Sequence, residues 1–234
     1  MLAHVAAVRQ TQPRVGTRKL HRHLQQAGCP IGRDRLFTWL RAAHALVPRK
    51  RRGAATTYSR HRYAVAPNRL KDATITAPGQ AVVSDITYLR MAPDGFAYLF
   101  LVSDVYSRRI VGWHVSRDLT HHAALQALQQ ALTAVGGLVH HSDRGSQYCC
   151  HAYHRALAAA QVLPSMTDAD HCYQNAIAER INGILKDEFD LDAVFPSVHA
   201  ARWAVDRAIY TYNTIRLHGS LGLQTPAQVF PHAA

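Results

Sequence analysis

The stretch QAVVSDITYLRMAPDGFAYLFLVSDVYSRRIVGWHVS, residues 80–116, contains three consecutive strand patterns. Residues 80–90 are rich in β-branched side chains, residues 95–107 include a continuous apolar run, and residues 108–116 alternate between apolar and polar side chains. Runs of this length and composition predict β-strands. Because only short turns separate them, we expect an antiparallel meander at the centre of the fold.

Helix and strand patterns alternate after this meander. Residues 120–136 and 146–162 have the apolar spacing of helices, whereas residues 137–143 and 162–166 have the pattern of short strands. The order βββαβαβ, followed by further helices, predicts a mixed sheet covered by helices on both faces. The sequence therefore predicts an α/β fold with a five-stranded sheet.

The N-terminal region has the pattern of two helices joined by a glycine turn. Leu20 and Leu24 share one face of the first helix, which should end near Gly28, and the second helix should begin after Gly32. This pattern predicts a helix-turn-helix-like region over residues 1–46, although any short helical hairpin has similar spacing. The candidate DNA contacts on its second helix are Arg33 and Arg35.

The positive charge of the chain is concentrated at its N-terminal end. Residues 1–75 contain 16 Lys and Arg against two Asp, a net +14, whereas residues 76–234 contain 11 basic against 13 acidic residues, a net −2. A basic arm beside a nearly neutral body favours a polyanionic partner, of which nucleic acid is the commonest. Residues 47–78 are predicted to be a basic linker that attracts DNA phosphates. Its candidate phosphate contacts are Arg49, Lys50, Arg51 and Arg52.

Cysteine and histidine spacing favours neither a disulfide framework nor a structural zinc site. The four cysteines include no CxxC pair, so free thiols are expected. Histidines crowd residues 140–171, but they lack the two closely spaced ligand pairs of a zinc site. No apolar run reaches 18 residues, and the first residues lack the pattern of a signal peptide. We therefore expect a cytoplasmic protein.

Residues 173–189, YQNAIAERINGILKDEF, predict an amphipathic helix with an organised polar face. Asn175, Glu179, Asn182 and Lys186 fall on that face, opposite a broad apolar face. A solvated surface with a weak ion pair would have the same pattern. Lys186 lies about 10.5 Å beyond Glu179 along the helix axis, which is too far for a direct pair. The two side chains therefore need partners elsewhere in the chain.

Two aspartates lie in the predicted sheet. Asp85 lies within a strand, where aspartate is disfavoured, and Asp143 ends a later strand, at the kind of sheet edge where ligands bind. Brought together with Glu179, they would repel one another unless cations neutralise them, and Mg²⁺ prefers such oxygen ligands. Each carboxylate alone also has a structural explanation, as a cap or a surface charge. His141 shares a strand face with Asp143 and is expected to have a packing role.

Asp85, Asp143 and Glu179 occur in the order of the DDE catalytic core of retroviral integrases and bacterial insertion-sequence transposases, with 35 residues between the last two. Lys186 follows two helical turns further on. The segments HSDRGSQY, SMTDADHCYQNAIAERINGILKDEF and YNTIRLHGSLGLQTPAQVF resemble the second-frame (OrfB-type) transposases of two-frame insertion sequences. The resemblance covers nearly the whole chain, since GTRKLHRHL and APNRL match the N-terminal region and linker of that group.

This resemblance implies an RNase H-like fold and a set of site residues. It implies that Asp85, Asp143 and Glu179 are catalytic and hold two Mg²⁺ ions, for which Mn²⁺ can substitute. Asp104 also matches a family position and is expected to be structural. The further candidate DNA contacts are Lys186, Arg144, Gln147, Asn175 and Asn182.

The same resemblance implies a domain organisation and partners. The RNase H-like core would span residues 79–190, and a C-terminal helical extension would span residues 191–234. The expected partners are insertion-sequence ends, target DNA, further copies of this chain on DNA, and an upstream-frame DNA-binding protein, all in the nucleoid of a bacterial cytoplasm. The sequence departs from the family at Val83, where Trp is common, and at Gln174, where Asp is common. Neither departure replaces a proposed metal ligand.

We therefore predict a DDE transposase that cleaves insertion-sequence ends by attack of water and joins the freed 3′-OH to a target phosphodiester. An alternative is a DNA-binding regulator of transposition, truncated or dependent on an upstream-frame partner, without catalysis of its own. A simple RNase H-like nuclease is a third hypothesis. The motif YNTIRLHGSLGLQTP and the basic N-terminal arm favour the transposase over the nuclease.

Overall fold

The computed structural model describes residues 2–48, 63–135, 139–168 and 172–230. Its centre is a mixed sheet with the strand order β3-β2-β1-β4-β5, and a further short strand, β6, pairs with β1. The strands are β1 (Ala81–Met91), β2 (Phe96–Asp104), β3 (Ile110–Ser116), β4 (Val139–Ser142), β5 (Leu163–Met166) and β6 (Val194–Phe195).

The predicted meander forms the antiparallel half of this sheet. β1 pairs with β2 and β2 pairs with β3, both antiparallel, whereas β4 pairs in parallel with β1 and β5. Side chains alternate between the two faces, so Leu99 and Leu101 enter one buried cluster while Phe100 and Val102 enter the other. The α/β prediction with five main strands is confirmed. Sequence patterning missed β6 because a two-residue strand has no periodicity to detect.

Helices cover both faces of the sheet. The helices are α1 (Leu2–Thr11), α2 (Thr17–Gln26), α3 (Arg33–Ala42), α4 (His121–Ala134), α5 (Ser146–Cys149), α6 (His151–Ala159), α7 (Ala176–Glu188), α8 (Val198–Thr214) and α9 (Pro226–Val229). The cluster beneath α7 and α8 is separate from the cluster beneath α4 and α6. Gly112 of β3 allows α4 to approach closely, because a Cβ there would lie 2.1 Å from the carbonyl oxygen of Ala127.

Two predicted helices differ in detail from the observed ones. The helix expected over residues 146–162 is divided into α5 and α6, because Cys150 has an extended backbone. The helix expected over residues 173–189 begins with a 3₁₀ turn, Cys172–Asn175, and continues as α7. No helix in the described ranges is both long enough and apolar enough to cross a membrane.

The N-terminal helices have a hydrophobic cluster of their own. Leu20 and Leu24 of α2 pack against Leu36 and Leu40 of α3, as the leucine spacing predicted. Gly28 ends the first of these helices with a left-handed backbone, φ +75°, which glycine adopts readily. The predicted N-terminal helical pair is therefore present, preceded by α1.

One ion-pair network joins these helices to the rest of the protein. Lys19 of α2 contacts both carboxylate oxygens of Glu188 at 2.9 and 3.0 Å. Arg216, which follows α8, binds the same carboxylate through Nε at 2.9 Å and Nη2 at 2.7 Å. Burial alone would raise the pKa of Glu188, but Arg216 and Lys19 hold that pKa below its ordinary value. The carboxylate of Glu188, at the end of α7, thus connects α2 with the segment that follows α8.

Candidate active site

Parallel pairing of β1 and β4 places two aspartates side by side. Val83 of β1 is opposite His141 of β4, and Asp85 and Asp143 each lie two residues further along. Both aspartates are partly buried. Burial raises the pKa of Asp85 from its ordinary value of 3.8 to about 7, and the negative charges of Asp143 and, less strongly, Glu179 act in the same direction. These effects on the pKa of Asp85 indicate that the carboxylates of Asp143 and Glu179 lie near it.

Local backbone geometry fixes Asp143 at the end of β4. Its Oδ1 accepts a hydrogen bond of 2.9 Å from the backbone N–H of Gly145. A Cβ at Gly145 would lie 3.0 Å from that same Oδ1 and 3.1 Å from Oε1 of Gln147. Glycine therefore lets the chain turn tightly from β4 into α5 while the carboxylate stays at the strand end.

Asp85 is held by a side chain from α7. The Nδ2 of Asn182 donates to Oδ2 of Asp85 at 2.8 Å, and the backbone N–H of Ile86 donates to Oδ1 at 2.9 Å. Asn175 donates from Nδ2 to the carbonyl oxygen of Ser84 at 3.0 Å. The two asparagines thus attach the start of α7 and its second turn to β1.

The burial of these asparagines corrects their predicted role in binding DNA. Asn175 is 2% exposed and Asn182 is 6% exposed, and both donate to protein atoms. The helical wheel correctly placed them beside Glu179, but it could not reveal that part of this face packs against β1. That packing is possible because β4 pairs only with Ala81–Val83 and β6 only with Arg90–Met91, which leaves residues 84–89 of β1 without a strand on that side.

Glu179 lies in the first turn of α7 and is exposed. Within the described ranges, no three His, Cys, Asp or Glu side chains already converge as a metal-binding group. The pairing of β1 with β4 places Asp85 and Asp143 side by side, and the charge of Glu179 also acts on Asp85.

The donor set at this site fits a divalent cation. It consists of carboxylate oxygens whose mutual repulsion raises the pKa of Asp85, after the larger effect of burial. The side-chain oxygens of Asn175 and Asn182 are also buried without a hydrogen-bond partner. A hard ion such as Mg²⁺, which prefers oxygen ligands, would relieve the repulsion. The geometry therefore supports divalent-metal dependence.

Two buried histidines of β4 form hydrogen bonds with the elements next to the site. His140 Nε2 lies 2.7 Å from the hydroxyl of Ser84 and 2.9 Å from the hydroxyl of Tyr153. His141 Nδ1 lies 2.8 Å from the hydroxyl of Ser165, consistent with its predicted packing role. Burial lowers the pKa of His140 to about 3 and that of His141 to about 4, so both rings are neutral. These hydrogen bonds brace β1, β4 and β5 against one another.

Asp104 has the structural role that was expected for it. The residue is fully buried at the end of β2. It accepts hydrogen bonds from the backbone N–H of Gly79 at 2.8 Å and from the N–H and hydroxyl of Ser107 at 2.7 and 2.6 Å. Asp104 thereby closes the turn between β2 and β3.

The remaining predicted DNA contacts occupy several environments. Arg33 and Arg35 are exposed on α3, and Arg33 pairs with Asp34. Arg144 donates to the carbonyl oxygen of Thr167, and Gln147 donates to that of Leu119. The other four, which lie outside the described residues, are Arg49, Lys50, Arg51 and Arg52.

Lys186 has an aromatic neighbour that the sequence did not suggest. Its Nζ lies 4.0 Å from the ring centroid of Tyr88, and Tyr88 in turn contacts Phe96. Burial lowers the pKa of Lys186, while the charges of Asp192 and Asp85 act in the opposite direction. The lysine is therefore partly buried near the aspartates. The sequence offered one signal for this contact: Tyr88 is an aromatic residue three positions after Asp85 in the same predicted strand.

Sequence comparisons identify the relatives of this chain. The integrase core domain family matches residues 75–172, and a second integrase core domain family matches residues 160–226. The chain is 36% identical over 228 residues to the 31 kDa protein of insertion element IS600 from Shigella sonnei, covering 95% of this chain and 83% of that protein. The chain belongs to the insertion-sequence transposases with an integrase core domain.

Two named transposases support the same assignment. The transposase for IS629 from Shigella sonnei is 35% identical over 91% of this transposase and 72% of its own length. Transposase InsF for IS3A from Escherichia coli K12 is 32% identical over 96% of this transposase and 79% of its own length. The transposase is thus an enzyme of the polynucleotidyl transferase class.

Solved structures with little sequence similarity share the fold. The HTLV-2 integrase catalytic core domain in complex with magnesium is 18% identical, with a TM-score of 0.55 over 66% of the transposase and 97% of that chain. A simian T-cell lymphotropic virus intasome gives a TM-score of 0.57 at 16% identity, over 98% of the transposase and 75% of that chain. The transposase therefore has the RNase H-like fold of the retroviral integrase core.

Proposed function

We propose that this transposase cleaves DNA at insertion-sequence ends and joins the freed 3′-OH to target DNA, using Asp85, Asp143 and Glu179. The observation that carries the proposal is the alignment of Asp85 with Asp143 across β1 and β4, with Glu179 presented on α7. In the first step water attacks the phosphodiester and the 3′-oxygen leaves. In the second step that 3′-OH attacks a target phosphodiester, and the target 3′-oxygen leaves.

The three carboxylates would hold two Mg²⁺ ions, for which Mn²⁺ can substitute. Such ions activate the attacking oxygen and stabilise the leaving oxygen in phosphoryl transfer. The protein itself supplies orientation: Asn182 fixes Asp85, and the N–H of Gly145 fixes Asp143. Lys186, whose charge interacts with that of Asp85, would bind a phosphate of the insertion-sequence end.

DNA and further copies of the transposase are the partners of this reaction. Exposed arginines of α3 would bind insertion-sequence DNA, and residues 47–78 would add phosphate contacts. An upstream-frame DNA-binding protein would contribute recognition of the ends. The reaction would take place on the nucleoid in a bacterial cytoplasm.

Substitution of the carboxylates tests this proposal. We expect Asp85→Asn, Asp143→Asn and Glu179→Gln each to lower joining by at least about a thousandfold, because each removes a charged ligand, while DNA binding stays within about twofold. The measurement is joining of a labelled duplex that carries the inverted repeat found in the genomic DNA beside the gene. Asp206→Asn, which neutralises an exposed carboxylate of α8, is the matched control. Near-normal joining by any of the three variants would remove that residue from the catalytic set.

A further inference from the structure

Two large aromatic side chains are exposed beside the carboxylate site. Tyr88 of β1 is 38% exposed and Phe96, the first residue of β2, is 49% exposed. Their ring centroids are 5.1 Å apart, with an angle of 73° between the planes. Neither ring belongs to any buried cluster of the described chain. Two exposed aromatic rings in contact form a larger apolar surface than a single exposed side chain, which makes the pair a candidate binding surface.

Register and strand spacing locate this pair relative to the catalytic aspartates. Tyr88 follows Asp85 by three residues on one strand, a distance of about 10 Å, and because side chains alternate the two point to opposite faces of β1. Phe96 is opposite Arg90, so it lies diagonally across from Tyr88. In duplex DNA, about 10 Å corresponds to three nucleotide steps along one strand. Lys186 links the two faces, since its Nζ lies over the Tyr88 ring and its charge interacts with that of Asp85. A DNA strand with phosphates at Asp85 and at Lys186 would therefore pass beside the ring of Tyr88.

Two cationic side chains, Lys186 and Arg90, lie beside the pair, and the carboxylates of Asp192, Asp85 and Asp187 also act on Lys186. Lys186 Nζ lies 4.0 Å from the Tyr88 centroid and is held there by the attraction of a cation to an aromatic ring. Arg90 is exposed and donates to the carbonyl oxygen of Asp192. Aromatic rings with adjacent cations form the binding surface for unpaired nucleic acid, in which rings stack on bases and cations meet phosphates.

We propose that Tyr88 and Phe96 form a stacking platform for an unpaired base of the insertion-sequence end, close to the scissile phosphate. Phe96 has the more exposed ring and would stack on the base. Tyr88 packs against Phe96 and also contacts Lys186, which would bind the adjacent phosphate. The occupant is an unpaired base because bases inside a duplex already stack on one another and offer no free face. The platform rests on the proposed function, since it needs a DNA end at Asp85.

Fluorescence of 2-aminopurine tests the platform with the full-length transposase. The base analogue is placed at each of the last three positions of the duplex end, in fully paired duplexes and in duplexes whose last positions are unpaired. We expect binding of the wild-type transposase to quench the analogue at one of these positions. Phe96→Leu and Tyr88→Leu should remove that quenching and weaken binding of the unpaired end about tenfold, leaving the paired duplex within about twofold.

Control variants separate stacking from general effects. Phe96→Tyr retains a ring and should retain quenching and affinity. Tyr210→Leu removes a ring that is 64% exposed on α8, away from the site, and should change neither. Thermal melting of each variant checks that the fold is intact. If both leucine variants melt normally and still quench and bind as the wild type does, the proposal is wrong.

Crosslinking of the wild-type transposase gives a second test that does not depend on variants. With 5-iodouracil at the same end positions, irradiation should attach DNA to Tyr88 or Phe96, as identified by mass spectrometry. Crosslinks that map only elsewhere would overturn the platform, as would leucine variants that alter the oligomeric state but not DNA binding. Cleavage and joining by the wild type are measured in parallel. If the wild type neither cleaves nor joins the DNA, the proposed function is wrong. If it does both but its rings neither quench nor crosslink to the end, only the stacking platform is wrong.

Discussion

Asp85 lies where a negative charge is costly unless a cation is bound. Its pKa of about 7 in the folded transposase, raised by burial and by Asp143, compares with 3.8 in an exposed state. A folded-state pKa above the unfolded one adds stability that is complete below about pH 4 and is lost as pH rises through about 7. The metal-free transposase should therefore become less stable across that range.

Calorimetry or circular dichroism can measure this effect. In metal-free buffer at pH 8, we expect Asp85→Asn to melt at least about 2–4 °C above the wild type, because an uncharged side chain relieves the repulsion. Addition of Mg²⁺ should raise the melting temperature of the wild type more than that of the variant. Equal melting temperatures at pH 8, with equal responses to Mg²⁺, would mean that Asp85 is not under electrostatic stress.

The contact between Lys186 and Tyr88 makes the lysine more than an exposed charge. We expect Lys186→Ala to cost about 0.5–1 kcal/mol of folding stability, the value typical of a cation over an aromatic ring, and to weaken binding of the insertion-sequence end. Lys186→Arg should retain much of both. Urea unfolding and gel-shift titration measure the two quantities. A variant that loses stability but binds the end normally would make this lysine purely structural.

Sequence reasoning could find the residues of the site but not all of their neighbours. The order of Asp85, Asp143 and Glu179 matched the resemblance to DDE transposases, and helical spacing placed Asn182 and Lys186 on the same face as Glu179. Spacing alone could not show that Asn182 packs against Asp85, since a helical wheel identifies a face without identifying what covers it. Long-range contacts of this kind depend on how β1 is paired.

At the level of elements, α8 belongs to the main core of the transposase. Ala201, Val205 and Tyr212 of α8 lie in the same buried cluster as Leu89 of β1 and Leu99 of β2. The boundary predicted between residues 190 and 191 therefore runs through one hydrophobic core. We propose that the integrase-like unit continues through α9. The sequence concealed this continuity because β6, which joins the two parts, is only two residues long.

The network around Glu188 should be a strong tie between elements. Glu188→Gln would leave Arg216, which is 3% exposed, without its counter-charge, and we expect a loss of about 3 kcal/mol. The matched control is Asp34→Asn, since the pair between Asp34 and Arg33 is exposed to solvent and should contribute little to folding stability. Denaturant unfolding of both variants gives the comparison. Equal losses would show that burial of this network adds nothing.

For the whole molecule, the asymmetric charge predicts where DNA affinity originates. Arg33→Gln and Arg35→Gln should each lower the slope of log affinity against log salt by about 0.9 if each arginine contacts one phosphate. Arg207→Gln on α8 removes an equal charge from the nearly neutral body and should leave the slope unchanged. Fluorescence anisotropy at several salt concentrations measures the slopes. A drop only with Arg207→Gln would assign the affinity to the body.

The contact of Lys19 in α2 with Glu188 can form only late in synthesis of the chain. The fully buried side chains that hold the N-terminal helices together lie between Val5 and Leu40, whereas Lys19 pairs with Glu188, which also binds Arg216. At about 5–20 residues per second, a ribosome needs about 10–35 s to extend the chain from Leu40 to Arg216. Through most of that interval the nascent chain carries the helices that we propose bind DNA but lacks Glu179. The nascent transposase is therefore expected to bind DNA before the residues that we propose for cleavage have been synthesised.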